Sequence, residues 1–257
     1  MLRQFGLIGF PLSHSFSQKF FTQKFLQENI ASTTYDNFPI ASIDAFPSLW
    51  TEHPQLEGLN VTIPYKKEVI SFLQHTSPVV EAIKACNCIR KYNNELYGYN
   101  TDVIGFEKSL MPFLKPHHTH ALILGTGGAA AAVQWVLEKL HITYQLVSRN
   151  SNGNRIETNS SLDTNTIAYD QLTPSLVEAH TLIINTSPLG MYPSIDKAPP
   201  IPYEALTPKH HLYDLIYNPE KTLFMKNGIE KGATVQNGLE MLHLQAEASW
   251  AIWNSKM

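Results

Sequence analysis

The stretch Ala121–Val133, "ALILGTGGAAAAV", decides the reading of this chain. Its first four residues make a short buried strand, and Gly125, Gly127 and Ala130 follow with the spacing G-x-G-x-x-A. Gly125 permits a tight turn out of the strand. Gly127 removes the side chain where a backbone must approach a pyrophosphate, and the alanines from Ala129 to Ala132 let a helix lie close on a sheet. Free N–H groups at the start of that helix then face the anion. Strand, glycine turn and helix in direct succession predict a doubly wound, Rossmann-like α/β domain that holds a dinucleotide.

The next strand, "TYQLVS", ends in Ser148, Arg149 and Asn150. A nucleotide with a free ribose 2′-hydroxyl calls for Asp or Glu at this point, about 20 residues beyond the glycines. There is no acid here, and Arg149 stands where a 2′-phosphate would lie, with Arg155 as a second cation. The expected cofactor is therefore NADP(H).

Working outward, "TIAYD", "TLIINTS", "HLYDLIY" and "ATVQ" supply further strands for a sheet of five or six. The polar segment "SNGNRIETNSSLDTNT" reads as a loop. On the N-terminal side, "FGLIG", "TTYDNF" and "GLNVTI" read as strands. Phe20, Phe21, Phe25 and Leu26 share one side of a helix between the first two. "CNCIRKY" and "ELYGYN" form a hairpin about Asn93-Asn94, a turn-compatible pair. In "GLNVTIPYKKEV" a strand through Ile63 is expected to end at Pro64 and run into a helix with Val69, Ile70, Phe72 and Leu73 on its apolar side. The alternation predicts a second α/β unit with a mostly parallel sheet. "KPHHTH" (115–120) is a polar break that marks a candidate seam. Its histidines lack a carboxylate or cysteine at ligand spacing, so no metal is expected. The last segment, with Leu239, Leu242, Ala246, Trp250 and Trp253 at helical spacing, is a helix that returns to the first unit.

Bulk composition narrows the function. Of the 257 residues 43 % are hydrophobic and 16 % charged, with a formal net charge of −3 and no basic run. That balance excludes disorder and gives no footprint for nucleic acid or an anionic membrane. No apolar run approaches the roughly 20 residues of a membrane helix. Cys86 and Cys88, the only cysteines, are too close for an unstrained disulfide. A soluble protein of a reducing cytoplasm is expected.

Three polar stretches recur at strand ends: "PLSHSFS", "NVTIPYK" and "GYNTD". Singly each has a structural reading: Ser15 and Ser17 as helix N-caps, Asn60 and Thr62 as polar strand residues, Asp102 as the cap of a helix from Val103. Together they offer hydroxyls, amides, one ammonium and one carboxylate, a set suited to a small hydroxylated acid.

These stretches resemble the motifs of the shikimate dehydrogenase family. G-x-P-x-x-H-S-x-S stands as "GFPLSHSFS" (9–17), N-V-T-x-P-x-K as "NVTIPYK" (60–66), N-T-D as residues 100–102 and G-x-G-G-A as "GTGGA" (125–129). "NTSPLGM" (185–191), "DLIYNPEKT" (214–222) and "GLEMLHLQA" (238–246) extend the likeness in family order over nearly the whole chain. The resemblance implies reversible, NADPH-dependent reduction of 3-dehydroshikimate to shikimate. It implies Lys66 and Asp102 as the catalytic pair, Lys66 exchanging a proton with the reacting oxygen. Ser15, Ser17 and Tyr217 would bind the substrate carboxylate, and Asn60, Thr62, Asn87, Asp102 and Gln245 the ring hydroxyls. Gly125, Thr126, Gly127, Gly128 and Ala129 would line the pyrophosphate. Ser148, Arg149 and Arg155 would face the 2′-phosphate, and Thr186, Met191 and Gly238 the nicotinamide.

The implied organisation is a substrate domain of residues 1–103 plus 238–257 and an NADP domain of residues 104–237, with a cleft between them; monomer or homodimer both fit. The chain departs from the family pattern at Gln18, Phe21, Val103 and Cys88, and in Ser-Arg-Asn at 148–150. Two neighbouring functions share the motifs: a quinate/shikimate dehydrogenase using NAD or both cofactors, and a non-catalytic sensor of shikimate-like acids. Lys66, Asp102 and the glycine loop together argue against the sensor.

Overall fold

The computed structural model describes residues 2–12, 15–149 and 166–256. Arg155 and nearly all of the polar segment after Asn150 lie outside the described residues. The chain divides into two compact units, residues 1–104 with 245–257, and residues 105–244. The return to the first unit is thus counted from Gln245, whereas the motif reading set it at Gly238. The histidine-rich break at 115–120 falls inside the second unit.

The first unit is built on strands β1 (Arg3–Gly9), β2 (Thr33–Pro39), β3 (Leu56–Val61), β4 (His75–Thr76), β5 (Cys88–Tyr92) and β6 (Glu95–Tyr99), in the order β2-β1-β3-β5-β6-β4. β1 runs parallel to β2 and β3, and β4 to β6, while β5 is antiparallel to both β3 and β6. The β5–β6 hairpin closes at Tyr92↔Glu95 through Asn93 and Asn94, with φ of 48° and 62°. Asn tolerates this left-handed conformation, which matches the right-handed twist of the flanking strands. Helices α1 (Phe16–Gln27), α2 (Phe46–Glu52), α3 (Pro78–Ile83) and α4 (Asp102–Leu110) complete the N-terminal part of the chain.

Three expectations are corrected here. β3 stops at Val61, two residues short of Ile63, and the apolar pattern beyond Lys67 folds as a 3-10 turn (Glu68–Phe72), not an α-helix. Only Val69 of that turn is fully buried, while Ile70 and Phe72 pack partly buried against the same core. On α1, Leu26 is 74 % exposed and Lys24 is buried instead. Burial works against the Lys24 charge, but bonds to Glu247 (2.7 Å) and Glu28 (2.6 Å) more than offset it and raise the pKa. Glu247 comes from the C-terminal helix, beyond the reach of any local pattern.

That helix, α8 (Leu239–Asn254), closes an aromatic core. Trp253 stacks on Phe5 (4.7 Å between ring centroids), and its indole N–H donates to the Ile89 carbonyl (2.9 Å). The ring lies where a Cβ on Gly58 would stand, so β3 requires glycine there.

The second unit holds β7 (His120–Leu124), α5 (Gly128–Lys139), β8 (Thr143–Ser148), β9 (Ile167–Ala168), α6 (Pro174–Ala179), β10 (Leu182–Asn185), β11 (His211–Asp214), α7 (Leu223–Glu230) and β12 (Thr234–Gln236). All its strands are parallel, in the order β9-β8-β7-β10-β11-β12. This is the doubly wound order 3-2-1-4-5-6, whose switch point lies beyond the carboxyl ends of β7 and β10. "TIAYD" contributes only the two residues of β9 before the chain turns into a 3-10 turn.

At the carboxyl end of β11, Asp214 is fully buried and ties two loops together. Its Oδ1 accepts from Asn185 Nδ2 (3.0 Å) and the Ile216 N–H (3.1 Å), and its Oδ2 from the Thr222 hydroxyl (2.6 Å). Thr222 in turn caps α7 at the Met225 N–H (3.3 Å). Burial outweighs these donors and pushes the Asp214 carboxyl up to about 6 from 3.8.

Two outcomes are expected. Gly58→Ala lowers the stability of the first unit by about 1–3 kcal/mol through displacement of Trp253, read as a lower thermal midpoint with a shifted indole emission. Asp214 holds its proton more tightly when folded than when unfolded. Its contribution is therefore full below pH 4 and is lost as pH rises towards 6, about 3 kcal/mol in all. Subtracting the stability-against-pH curve of Asp214→Asn from that of the wild type should expose this slope; parallel curves would refute it.

Candidate active site

Lys66 is held by its backbone before its side chain does anything. Beyond β3 the Thr62 N–H still donates to Ile8 (2.9 Å), and the Tyr65 N–H turns back to the Thr62 carbonyl (3.0 Å). Tyr65 is buried, and its phenol donates to the Ile40 carbonyl (2.6 Å). The Lys66 carbonyl accepts from the Cys86 N–H (2.8 Å), so both sides of the residue are pinned.

Asp102 opens α4, where a carboxylate would ordinarily serve the helix's own N–H groups. Asn100 does that instead. Its Oδ1 accepts from the Val103 N–H (3.2 Å), and its Nδ2 donates to the Ala85 carbonyl (2.9 Å). Asp102 is thereby released to Lys66, with Nζ to Oδ2 at 2.7 Å and the side chains 24 % and 15 % exposed. The structural reading of Asp102 as the cap is corrected. An ammonium is fixed on a carboxylate at a point that solvent or a small molecule can still reach.

Around this pair the first unit gathers amides and hydroxyls. Asn60 Oδ1 accepts from the Tyr35 phenol (2.9 Å), and its Nδ2 donates to the Asn87 carbonyl (3.2 Å) and Ser249 Oγ (2.8 Å). Asn87 Oδ1 accepts from the Thr101 N–H (2.6 Å), and its Nδ2 donates to Thr101 Oγ1 (3.0 Å). Thr101 Oγ1 lies 3.4 Å from Gln245 Oε1 and 3.2 Å from Ser249 Oγ. Gln245 and Ser249 are one turn apart on α8, so they share a helix face.

Ser15 occupies the N-cap position of α1, yet its hydroxyl makes no cap bond and, among the described residues, its buried Oγ has no partner. Ser17 lies half-buried in the first turn of α1. The thiols of Cys86 and Cys88 are free and buried, and burial raises both, Cys86 to about 12. Neither thiol is a nucleophile at neutral pH.

In the second unit, Gly125 has φ of +119°, and a Cβ on it would meet Thr186 Oγ1 at 2.7 Å. Thr186 hydrogen-bonds the Leu124 carbonyl through both its N–H and its hydroxyl (3.0 Å each), which sets the neighbouring loop against the glycine turn. Gly127 and Gly128 are small for a different reason. Nothing lies within 4 Å of a Cβ on either, and the N-cap Gly127 of α5 offers no side-chain cap. Open space above uncapped helix N–H groups fits a pyrophosphate.

Ser148 ends β8, and Arg149 follows it exposed, with its charge acting on the phenol of Tyr169. Met191 is 47 % exposed, and burial raises the phenol of Tyr217. Gly238 is buried where a Cβ would strike the Leu215 carbonyl, which gives that glycine a packing reason of its own.

Sequence reasoning missed Tyr35 and Ser249, and named Thr101 only inside a motif. For Ser249 a signal existed: a hydroxyl four residues after Gln245, on the same helix face. For Tyr35 there was none, since an aromatic residue in a strand reads as core. Among the described residues no group of three His, Cys, Asp or Glu side chains could hold a metal, and no helix is long and apolar enough to cross a membrane.

The chain is similar to known proteins. A family model for the shikimate dehydrogenase substrate binding domain matches residues 7–89. The shikimate dehydrogenase (NADP(+)) of Desulforamulus reducens is 34 % identical over 261 residues, covering 96 % of this chain and 88 % of that protein. The solved chorismate mutase/shikimate 5-dehydrogenase fusion protein from Clostridium acetobutylicum superposes with a TM-score of 0.85 at 34 % identity, over 99 % of this chain and 91 % of that one. The shikimate 5-dehydrogenase of Thermus thermophilus, solved in complex with NADP(H) and shikimate, gives a TM-score of 0.85 at 26 % identity, over 100 % and 95 % of the two chains.

Proposed function

The chain belongs to the shikimate dehydrogenase family, and on that footing we propose that it reduces 3-dehydroshikimate to shikimate reversibly with NADP(H), through Lys66 and Asp102. The 2.7 Å ion pair between these two residues carries the reading, because it supplies a positioned proton donor among buried amides and hydroxyls.

When bound, NADPH supplies the hydride. The protein's part is to manage the proton and the orientation. Lys66 Nζ gives a proton to the carbonyl oxygen as that oxygen gains negative charge, and in the reverse direction takes it back from the carbinol. Asp102 holds the ammonium in place and, with its second oxygen, accepts from a neighbouring ring hydroxyl. Asn60, Thr62, Asn87 and Gln245 orient the remaining hydroxyls; a ring held in one pose converts a collision into an effectively unimolecular step. Ser15, whose buried hydroxyl has no described partner, and Ser17 are suited to the substrate carboxylate, with Tyr217 as a further donor.

The turn at Gly125–Ala129, Thr126 included, receives the pyrophosphate. Ser148 and Arg149 receive the 2′-phosphate, with Arg155 as a second cation. Thr186, Met191 and Gly238 are assigned to the nicotinamide side. Release of the enzyme into the cytoplasm, as a monomer or a homodimer, is the setting that accords with this reading.

Lys66→Ala is expected to lower kcat by roughly 10²- to 10⁴-fold while the protein stays folded, in an assay that follows absorbance of the reduced cofactor. Shikimate and quinate should each be tested with NADP⁺ and NAD⁺. Turnover of quinate, or equal use of NAD⁺, would replace this reading by a dual-specificity dehydrogenase; no turnover with shikimate bound would leave a sensor. Arg149→Ala is expected to raise KM for NADP⁺ by roughly tenfold and leave KM for NAD⁺ nearly unchanged. Equal changes for both cofactors would take Arg149 away from the 2′-phosphate.

A further inference from the structure

Three side chains proposed for the substrate, Asn60, Asn87 and Gln245, are bonded to three buried residues that have no role in the reading above: Tyr35, Thr101 and Ser249. The direction of each proton in this network follows from chemistry. The Asn87 carbonyl can only accept, so the Asn60 nitrogen must be the atom facing it at 3.2 Å. The other Asn60 N–H goes to Ser249 Oγ, whose own proton goes to the Gln245 carbonyl (3.0 Å). Both Asn60 donors are spent. Its Oδ1 must then face Tyr35, and the phenol must donate to it.

The direction Tyr35 O–H to Asn60 C=O is thus determined. What remains for a ligand is equally specific. Asn60 can only accept, through the second lone pair of Oδ1. Asn87, whose Oδ1 is taken by the Thr101 N–H and one of whose Nδ2 protons is taken by Thr101 Oγ1, retains a donor.

We propose that Tyr35 is a positioning residue for substrate: its hydroxyl donates to Asn60 Oδ1 and fixes Asn60 as a hydrogen-bond acceptor. The inference rests on the shikimate reading and adds to it a residue that does not itself touch the substrate. Tyr35 is 3 % exposed, and its ring stacks on Phe21 (4.4 Å between centroids, 14° between planes), so the hydroxyl is withdrawn from solvent. Burial also keeps the phenol protonated, as a donor must be.

Tyr35→Phe removes one oxygen and keeps the stack. KM for shikimate is expected to rise roughly tenfold, because a buried amide oxygen is left unpaired and free to shift. KM for NADP⁺ and kcat should change less than about threefold, and the loss should appear equally in calorimetric shikimate affinity without cofactor. Phe21→Leu is the packing control: it should lower the thermal midpoint and leave shikimate KM within about twofold. A wild type that turns over shikimate beside a Tyr35→Phe variant of unchanged KM overturns this inference alone. So does a Phe21→Leu variant that reproduces the KM change, since packing would then suffice. A wild type that neither binds nor turns over shikimate sinks the substrate reading, and this inference with it.

Discussion

The cap on α4 decides whether Lys66 has a partner. The first N–H groups of a helix demand an acceptor, and the nearest carboxylate is the usual one. Here Asn100 meets the demand at Val103, so the carboxylate of Asp102 is left for Lys66. Had Asp102 turned to the helix, the lysine would be a solvated amine on a turn. The pairing also depends on the pinned turn from Thr62 to Lys66, which Tyr65 holds from beneath.

The same rule, that buried polar atoms must be satisfied, governs the amide cluster. Asn60, Asn87, Thr101 and Ser249 are almost wholly withdrawn from water. A satisfied network of this kind is stiff, whereas a partly satisfied one costs about 1–3 kcal/mol for each orphaned group. Stiffness sets which atoms a ligand can use. α8 is therefore more than a lid on the aromatic core: Gln245 and Ser249 lie on one face of it, and Trp253 anchors it at Gly58 and Ile89.

In the second unit the glycines of one short motif answer to different constraints. Gly125 is needed by its positive φ and by Thr186 pressed against it, both internal matters. Gly127 and Gly128 have open space where a side chain would stand, the room that a pyrophosphate above the helix N–H groups needs. Behind this turn, Asp214 binds Asn185 and Thr222 from two separate motifs into one cluster. Residues 185–191 and 214–222 thus owe part of their pattern to each other, quite apart from any nucleotide.

The sequence by itself determined the local features. The glycine turn between β7 and α5, the Asn93-Asn94 hairpin and the alternation of strand and helix follow from short-range sterics and side-chain period, which a few adjacent residues carry. The motifs also marked Lys66 and Asp102 as a pair before any distance was known. Only the tertiary structure decided which partner each polar group takes. Lys24 is buried because Glu247 arrives from α8, and Asn60 is an acceptor because Ser249, 189 residues away, receives its proton. Hydrogen-bond direction depends on atoms brought together by strand order and helix docking, and no pattern along the chain encodes which of two available partners lies nearer.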